Sequence, residues 1–164
     1  MKKYIDCDGV LLNTEELLYR DYNIARRTNP NLSMKDYLYT INWDALLDEA
    51  KPINNSLSIL KQYPTEDVMI LTKVFTLKEG DSKIRYFRKH QVENNIILVP
   101  NYLEKSEVVE AKGNILVDDS IKNLQDWDNH EGYSIYFGEG QSHFQNVTSI
   151  DDVLDLKKVK RLIR

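Results

Sequence analysis

Short, nearly continuous apolar runs recur along the chain at Lys3–Asp6, Val68–Thr72, Ile96–Val99, Ile115–Asp118 and Ser134–Phe137. Continuous rather than alternating hydrophobicity predicts strands buried on both faces, as in a parallel sheet. Between the runs, Lys78–His90, Ile121–Asp128 and Ile150–Ile163 read as helices. Strands that alternate with helices imply βαβ units with right-handed crossovers. The expected fold class is therefore α/β, with a parallel sheet of about five strands flanked by helices.

One interval interrupts this rhythm. From Thr14 to Val68 no run reads as a strand, and the stretch far exceeds one crossover helix with loops of about 2–6 residues. Short helices are predicted there at Glu15–Arg27, Ser33–Thr40, Trp43–Ala50 and Asn55–Tyr63, punctuated by Asn29-Pro30-Asn31 and Lys51-Pro52. The expected organisation is a core of residues 1–13 and 65–164 and a small helical insert at 14–64, whose last helix returns to the sheet. The basic tail Lys157–Arg164 carries Val159 and Ile163, which continue the helical spacing of Val153 and Leu156. Cations suit a helix C-terminus, so the tail is read as a docked final helix and not as a nucleic-acid or membrane-binding arm.

Composition narrows the chemistry. The 164 residues are 41% apolar, and 22 Lys and Arg against 26 Asp and Glu leave a net charge of −4, without the basic field of a nucleic-acid binder. No apolar run reaches the roughly 18–20 residues of a membrane span. The segment Met1–Asp6 has charge but no apolar stretch, so no secretory signal is expected. Cys7 is the one cysteine, which excludes an intramolecular disulfide and a CxxC site. His90, His130 and His143 are dispersed, so a His-rich metal centre is not expected. The expectation is a cytoplasmic protein, monomeric or homodimeric, whose chemistry comes from carboxylates, hydroxyls and lysines.

Those groups fall in a pattern. The first strand ends in Asp6-Cys7-Asp8-Gly9-Val10, where carboxylates at i and i+2 project to one side and Gly9 permits a tight turn whose amides face an anion. Chance would place such a motif in about one chain of this size in two hundred. The second strand ends on Thr72, followed by Lys73. The fourth ends on Asp118-Asp119, of which a helix cap explains only one, Asp119 or Ser120 being the capping residue. Paired hard-oxygen donors suit Mg²⁺. Lys105 follows the third strand. Each residue lies just past the carboxyl end of a strand, where open α/β sheets place their ligand sites.

The order Asp6-x-Asp8-Gly9-Val10, Thr72, Lys105, Asp118-Asp119 resembles the four motifs of the haloacid dehalogenase (HAD) superfamily, over Tyr4 to about Asn123. A receiver domain is disfavoured, because here the acidic pair follows the lysine. The resemblance implies a Rossmann-like core with a C1-type cap formed by the insert, and phosphoryl transfer through a covalent intermediate. It implies that Asp6 is the nucleophile and Asp8 the general acid and base. Gly9, Thr72 and Lys105 would bind phosphate. Mg²⁺ would be held by Asp6, the Asp8 carbonyl and an acid of the fourth motif, with Asp119 direct and Asp118 acting through water. Asn123 stands where many relatives have a further acid. Cys7 reads as a small buried strand residue.

A cap over the site implies a small phosphorylated substrate. Leu71-Thr72-Lys73, Asp118-Asp119, Trp127 and Gly132-Tyr133-Ser134-Ile135 are similar to the 5′(3′)-deoxyribonucleotidase branch. Trp43 falls about where that branch stacks an aromatic on the base, whereas Thr14 replaces its second aromatic. Tyr19, Tyr22, Tyr37 and Tyr39 are alternative ring donors, though their spacing also suits the packing of the insert. Trp43, Thr14 and Lys73 are the expected substrate contacts, and a nucleoside monophosphate is the expected substrate. Neither a stable nucleic-acid complex nor a membrane contact is expected. The alternatives are a sugar-phosphate or other small-molecule phosphatase, a polynucleotide end phosphatase, and a HAD scaffold kept for binding or regulation.

Overall fold

The computed structural model describes residues 1–63, 65–140, 142–155 and 158–160. Strand β1 (Lys3–Ile5) lies at the centre of a parallel sheet, between β2 (Val68–Val74) and β4 (Ile115–Asp118). Outside these, β3 (Ile96–Pro100) pairs with β2, β5 (Tyr133–Phe137) with β4, and β6 (Gln145–Val147) with β5. Among the described residues the sheet has six strands, in the order β3-β2-β1-β4-β5-β6.

The continuous hydrophobicity of the strand runs is explained by burial on both faces. Successive side chains point to opposite sides. Ile5, Ile70, Val117 and Ile135 face a core completed by Leu57, Leu60 and Phe87. Tyr4, Met69 and Leu116 face a second layer with Leu124 and Trp127. There the Trp127 indole donates to the Asn114 carbonyl at 3.1 Å and meets the Tyr4 ring edge-on.

The covering helices begin where side chains cap them. Helix α5 (Leu77–Lys89) starts after Thr76, whose hydroxyl accepts from the Glu79 amide, and it ends on Arg88 and Lys89. Helix α7 (Ile121–Asn129) follows β4 immediately and is capped by Ser120. The interval after β1 forms α1 (Thr14–Thr28), α2 (Met34–Thr40), α3 (Trp43–Glu49), a 3₁₀ turn at Ile53–Asn55 and α4 (Ser56–Leu60). Helices α1 to α3 gather their own apolar cluster of Leu17, Leu38, Trp43, Leu46 and Ala50, against which Phe75 packs. Helix α4 instead places Leu57 and Leu60 in the main core.

One element departs from the sequence expectation of about five strands. Strand β6 has the sequence Gln-Asn-Val and buries only Val147, so it presents no apolar run. Lys105 opens a short helix, α6 (Lys105–Val108), fixed by a reciprocal capping pair between Glu104 and Glu107. At the other end of the chain, α8 spans Asp151–Leu154, and Val153 and Val159 are buried as expected of a docked helix. The remainder of the expected Ile150–Ile163 helix, at Leu156, Lys157 and residues 161–164, lies outside the described residues. Among the described residues no helix is long and apolar enough to cross a membrane.

Candidate active site

The backbone of β1 carries Asp6 to the carboxyl edge of the sheet, its amide still donating to the Val117 carbonyl at 3.0 Å. The chain then folds back sharply: the Leu11 and Leu12 amides both donate to the Cys7 carbonyl, and Val10, Leu11 and Leu12 are buried. Gly9 sits in this turn at φ +76°, a region costly for residues with a Cβ. A Cβ there would also collide with the Asp119 carboxylate. The Gly9 amide donates to the Leu12 carbonyl at 2.8 Å. The sequence expectation that this amide faces an anion is therefore corrected: the turn consumes it, and glycine is required by φ and by the approach of Asp119.

Lys105, fully buried, joins β1 to β4. Its ammonium lies 2.6 Å from Asp6 Oδ1 and 2.6 Å from Asp118 Oδ2. Burial disfavours its charge, but the two carboxylates outweigh burial and raise its pKa. Asp118 has further protein donors, accepting also from the Ser120 amide at 2.8 Å and the Asn123 side chain at 3.0 Å. Ser120 is the residue that caps α7, which leaves Asp119 free of that duty.

Asp8 has a separate set of partners. Its Oδ1 accepts from the Thr14 hydroxyl at 2.5 Å, and its Oδ2 lies 2.5 Å from the Lys83 ammonium and 3.4 Å from the Thr72 hydroxyl. Thr14 has no solvent exposure and spends its hydroxyl on Asp8, so it is not the substrate contact expected from the sequence. Thr72 is likewise buried behind Asp8, within 3.2 Å of Lys83.

Excess negative charge gathers on the other side. Asp6, Asp118 and Asp119 each offer a carboxylate oxygen within 4.8 Å of the others. Burial, opposed by Lys105 and reinforced by Asp118 and Asp8, pushes Asp6 up to about 7. Burial, a hydrogen bond that the protonated Asp119 carboxyl donates to Glu15, and the charges of Asp6 and Asp118 push Asp119 up to about 9. A cluster of hard oxygen donors that holds protons in place of a cation fits a divalent metal of the Mg²⁺ type. Of the fourth-motif acids that could hold it, Asp118 already accepts from Lys105, Ser120 and Asn123, whereas Asp119 meets Glu15.

Above these groups lies a cavity of about 240 Å³. Its floor is Asp6, Asp8, Asp118, Asp119, Ser120 and Asn123, with Lys73 and Glu79 at the side. Its outer wall, from α1 to α3 and the loop after β2, is Glu15, Leu18, Tyr19, Met34, Leu38, Trp43 and Phe75. Lys73 lines the cavity and pairs with Glu104 at 2.6 Å. Trp43 lines it but is only 5% exposed, and the Lys83 ammonium lies 5.0 Å from its ring centre. An indole so enclosed is an anchor for α3, and the more open rings at the cavity are the half-exposed Tyr19 and the partly buried Phe75.

Lys83 and Glu79 escaped the sequence reading. A signal was present: Gly80, Tyr86 and Phe87 mark the buried face of α5, and Glu79 and Lys83 fall on that same face. Two charges on an apolar helical stripe require a buried partner.

A scan against protein-family models finds no match for the chain, and a search of the curated proteins finds none. Solved structures do match. A HAD-superfamily hydrolase of subfamily IA from Geobacter sulfurreducens superposes with a TM-score of 0.66 at 13% identity, covering 95% of this chain and 99% of that one. A haloacid dehalogenase-like hydrolase from Xanthomonas campestris gives 0.64 at 13% identity, over 99% and 91% of the two chains. The D,D-heptose 1,7-bisphosphate phosphatase of Burkholderia thailandensis gives 0.55 at 12% identity over the whole of both. The fold is thus that of the HAD-superfamily hydrolases.

Proposed function

We propose that this protein is a divalent-metal-dependent phosphomonoester hydrolase that works through a phosphorylated Asp6. One observation carries the reading: Asp6 faces the cavity with one oxygen held by buried Lys105, while Asp8, two residues on, lines the same cavity on a different set of partners. A carboxylate steadied by a cation is suited to attack phosphorus, and an independent carboxyl is suited to move the proton. In the first step an Asp6 oxygen bonds to phosphorus, the ester P–O bond breaks, and protonated Asp8 gives its proton to the leaving oxygen. In the second, water bonds to phosphorus, its proton passes to Asp8, and the Asp6–phosphorus bond breaks to release inorganic phosphate. Asp6, Asp119 and the Asp8 carbonyl are the proposed metal ligands, and Mg²⁺ when bound would neutralise charge on the phosphoryl oxygens. The phosphatase activity in the name of the heptose bisphosphate neighbour supports the reaction class.

The cavity's outer wall supports a neutral leaving group with an apolar face, best matched by a (deoxy)nucleoside monophosphate. Leu18, Tyr19, Met34, Leu38 and Phe75 reward apolar contact, and a base ring finds Tyr19 and Phe75 there. The helices of the insert, which we read as a cap over residues 14–64, bring Glu15 and no lysine or arginine to the cavity. A sugar phosphate would make less use of the apolar side chains of this wall. A polynucleotide end needs cations that the wall lacks. The test is a panel of aryl, nucleoside and sugar monophosphates assayed with Mg²⁺ and with excess chelator. Hydrolysis that requires the metal and prefers nucleotides is expected; full activity in chelator, or preference for sugar phosphates, contradicts the respective part.

A further inference from the structure

Lys83 lies on α5, has no solvent exposure and does not line the cavity. Its ammonium nevertheless reaches the reacting groups: Asp8 Oδ2 at 2.5 Å, Glu79 Oε1 at 2.7 Å and the Thr72 hydroxyl at 3.2 Å. The Lys73 carbonyl lies farther off, at 3.4 Å, so the three nearer acceptors take its three protons. Glu79 is itself fixed, since its Oε2 accepts from the Phe75 amide at 2.8 Å. A continuous path therefore runs from the backbone after β2 through Glu79 and Lys83 to one oxygen of Asp8, while Thr14, at the start of α1, holds the other. The Lys83 ammonium also sits over the Trp43 ring, which closes its remaining side.

Stability alone does not account for this arrangement. Buried ion pairs are commonly replaced by apolar side chains of similar volume without loss, because desolvation offsets their attraction. Burial works against the Lys83 charge, and the negative charges of Asp8 and Glu79 overcome it. What an apolar side chain cannot reproduce is the orientation of the Asp8 carboxylate. Proton transfer needs that carboxylate in one place, and a displacement of about 1 Å in such geometry costs on the order of a hundredfold in rate.

We propose that Lys83, held by Glu79, is a positioning residue that fixes the Asp8 carboxylate for proton transfer to the leaving oxygen and from the attacking water. The inference rests on the phosphatase reading and assigns to that site a control outside the four motifs.

The test compares wild type, Lys83→Met, the charge-balanced Lys83→Met/Glu79→Gln double variant and Asp6→Asn, with p-nitrophenyl phosphate and Mg²⁺. Acid-quenched protein is assayed for phosphate bound at Asp6, and folding is followed by thermal melting. Both Lys83 variants are expected to lose roughly tenfold to a hundredfold in kcat with little change in KM. Both are also expected to accumulate phosphorylated Asp6, because misplaced Asp8 no longer activates water. The double variant leaves neither Glu79 nor Lys83 as an unpaired buried charge, so it retains the test if the single variant folds poorly. Unchanged kcat in a folded variant overturns the role of Lys83, as does a loss of activity that only tracks the unfolded fraction and brings no phosphoenzyme. Absence of hydrolysis by wild type overturns the phosphatase reading itself, and an Asp6→Asn variant as active as wild type overturns its covalent step at Asp6; either takes the Lys83 role with it.

Discussion

Lys105 holds Asp6 at 2.6 Å across the gap between α6 and β1, and it does so while also holding Asp118 on β4. One ammonium thus compensates two buried carboxylates, and its removal leaves both without a cation. Lys105→Met is expected to lower unfolding stability by about 3–5 kcal/mol, the cost of breaking a buried ion pair from one side. Denaturant titration without added metal measures it. An unchanged midpoint would mean that the pair of carboxylates is not charged together in the folded protein.

The expected effect of Trp43→Ala changes once its surroundings are known. The indole packs with Leu38 and Leu46 and lies against Lys83, and its Nε1 has no partner among the described residues. Its loss opens a cavity in the cluster of α1 to α3, at about 3–5 kcal/mol. The melting temperature is therefore expected to fall, and turnover of nucleotide and sugar phosphates to fall alike. Tyr19→Ala is the specific probe. A lost base–aromatic stack of about 1–3 kcal/mol raises KM for a nucleotide roughly five- to a hundredfold and leaves methyl phosphate unaffected. A nucleotide KM that stays at the wild-type value in Tyr19→Ala would remove the base from that position.

Acidity and metal affinity are linked through Asp6 and Asp119. Without metal these groups hold protons up to about 7 and about 9, against an ordinary value near 4. The folded chain therefore binds more protons than the unfolded chain between those values. The resulting penalty is absent below about pH 4 and grows as the pH rises toward the folded-state values. A divalent cation displaces the same protons, so its affinity strengthens with rising pH. The increase in melting temperature caused by Mg²⁺ is expected to be larger at about pH 9 than at about pH 6. A pH-independent increase would place the metal away from Asp119.

Much of this site was legible in the chain because its determinants are local. Ile115–Asp118 is a strand in both readings, and the doubled acid at its end stood out because a buried strand rarely ends on two charges. Thr72 and Lys105 were recognisable by their order along the chain, and the structure brings both to the carboxylates. The partnership of Asp8 was not legible. Lys83 looks like any lysine of a charged helix until a carboxylate 75 positions away is placed against it. The Thr14 hydroxyl turns to Asp8 and the Trp43 indole is largely enclosed, because a position in sequence says nothing of which way the side chain turns. Strand β6 was invisible because an edge strand of Gln145, Asn146 and Val147 buries too little to leave an apolar run.

The most direct measurement follows the phosphoryl group. Asp8→Asn protein is incubated with p-nitrophenyl phosphate and Mg²⁺, quenched in acid, digested and analysed by mass spectrometry, with Asp6→Asn as the parallel sample. Covalent catalysis at Asp6 predicts one phosphoryl group on the peptide containing Asp6 in the Asp8 variant, since release by water is blocked, and none in the Asp6 variant. Turnover by Asp6→Asn, or a phosphoryl group carried on any other residue, would contradict the account.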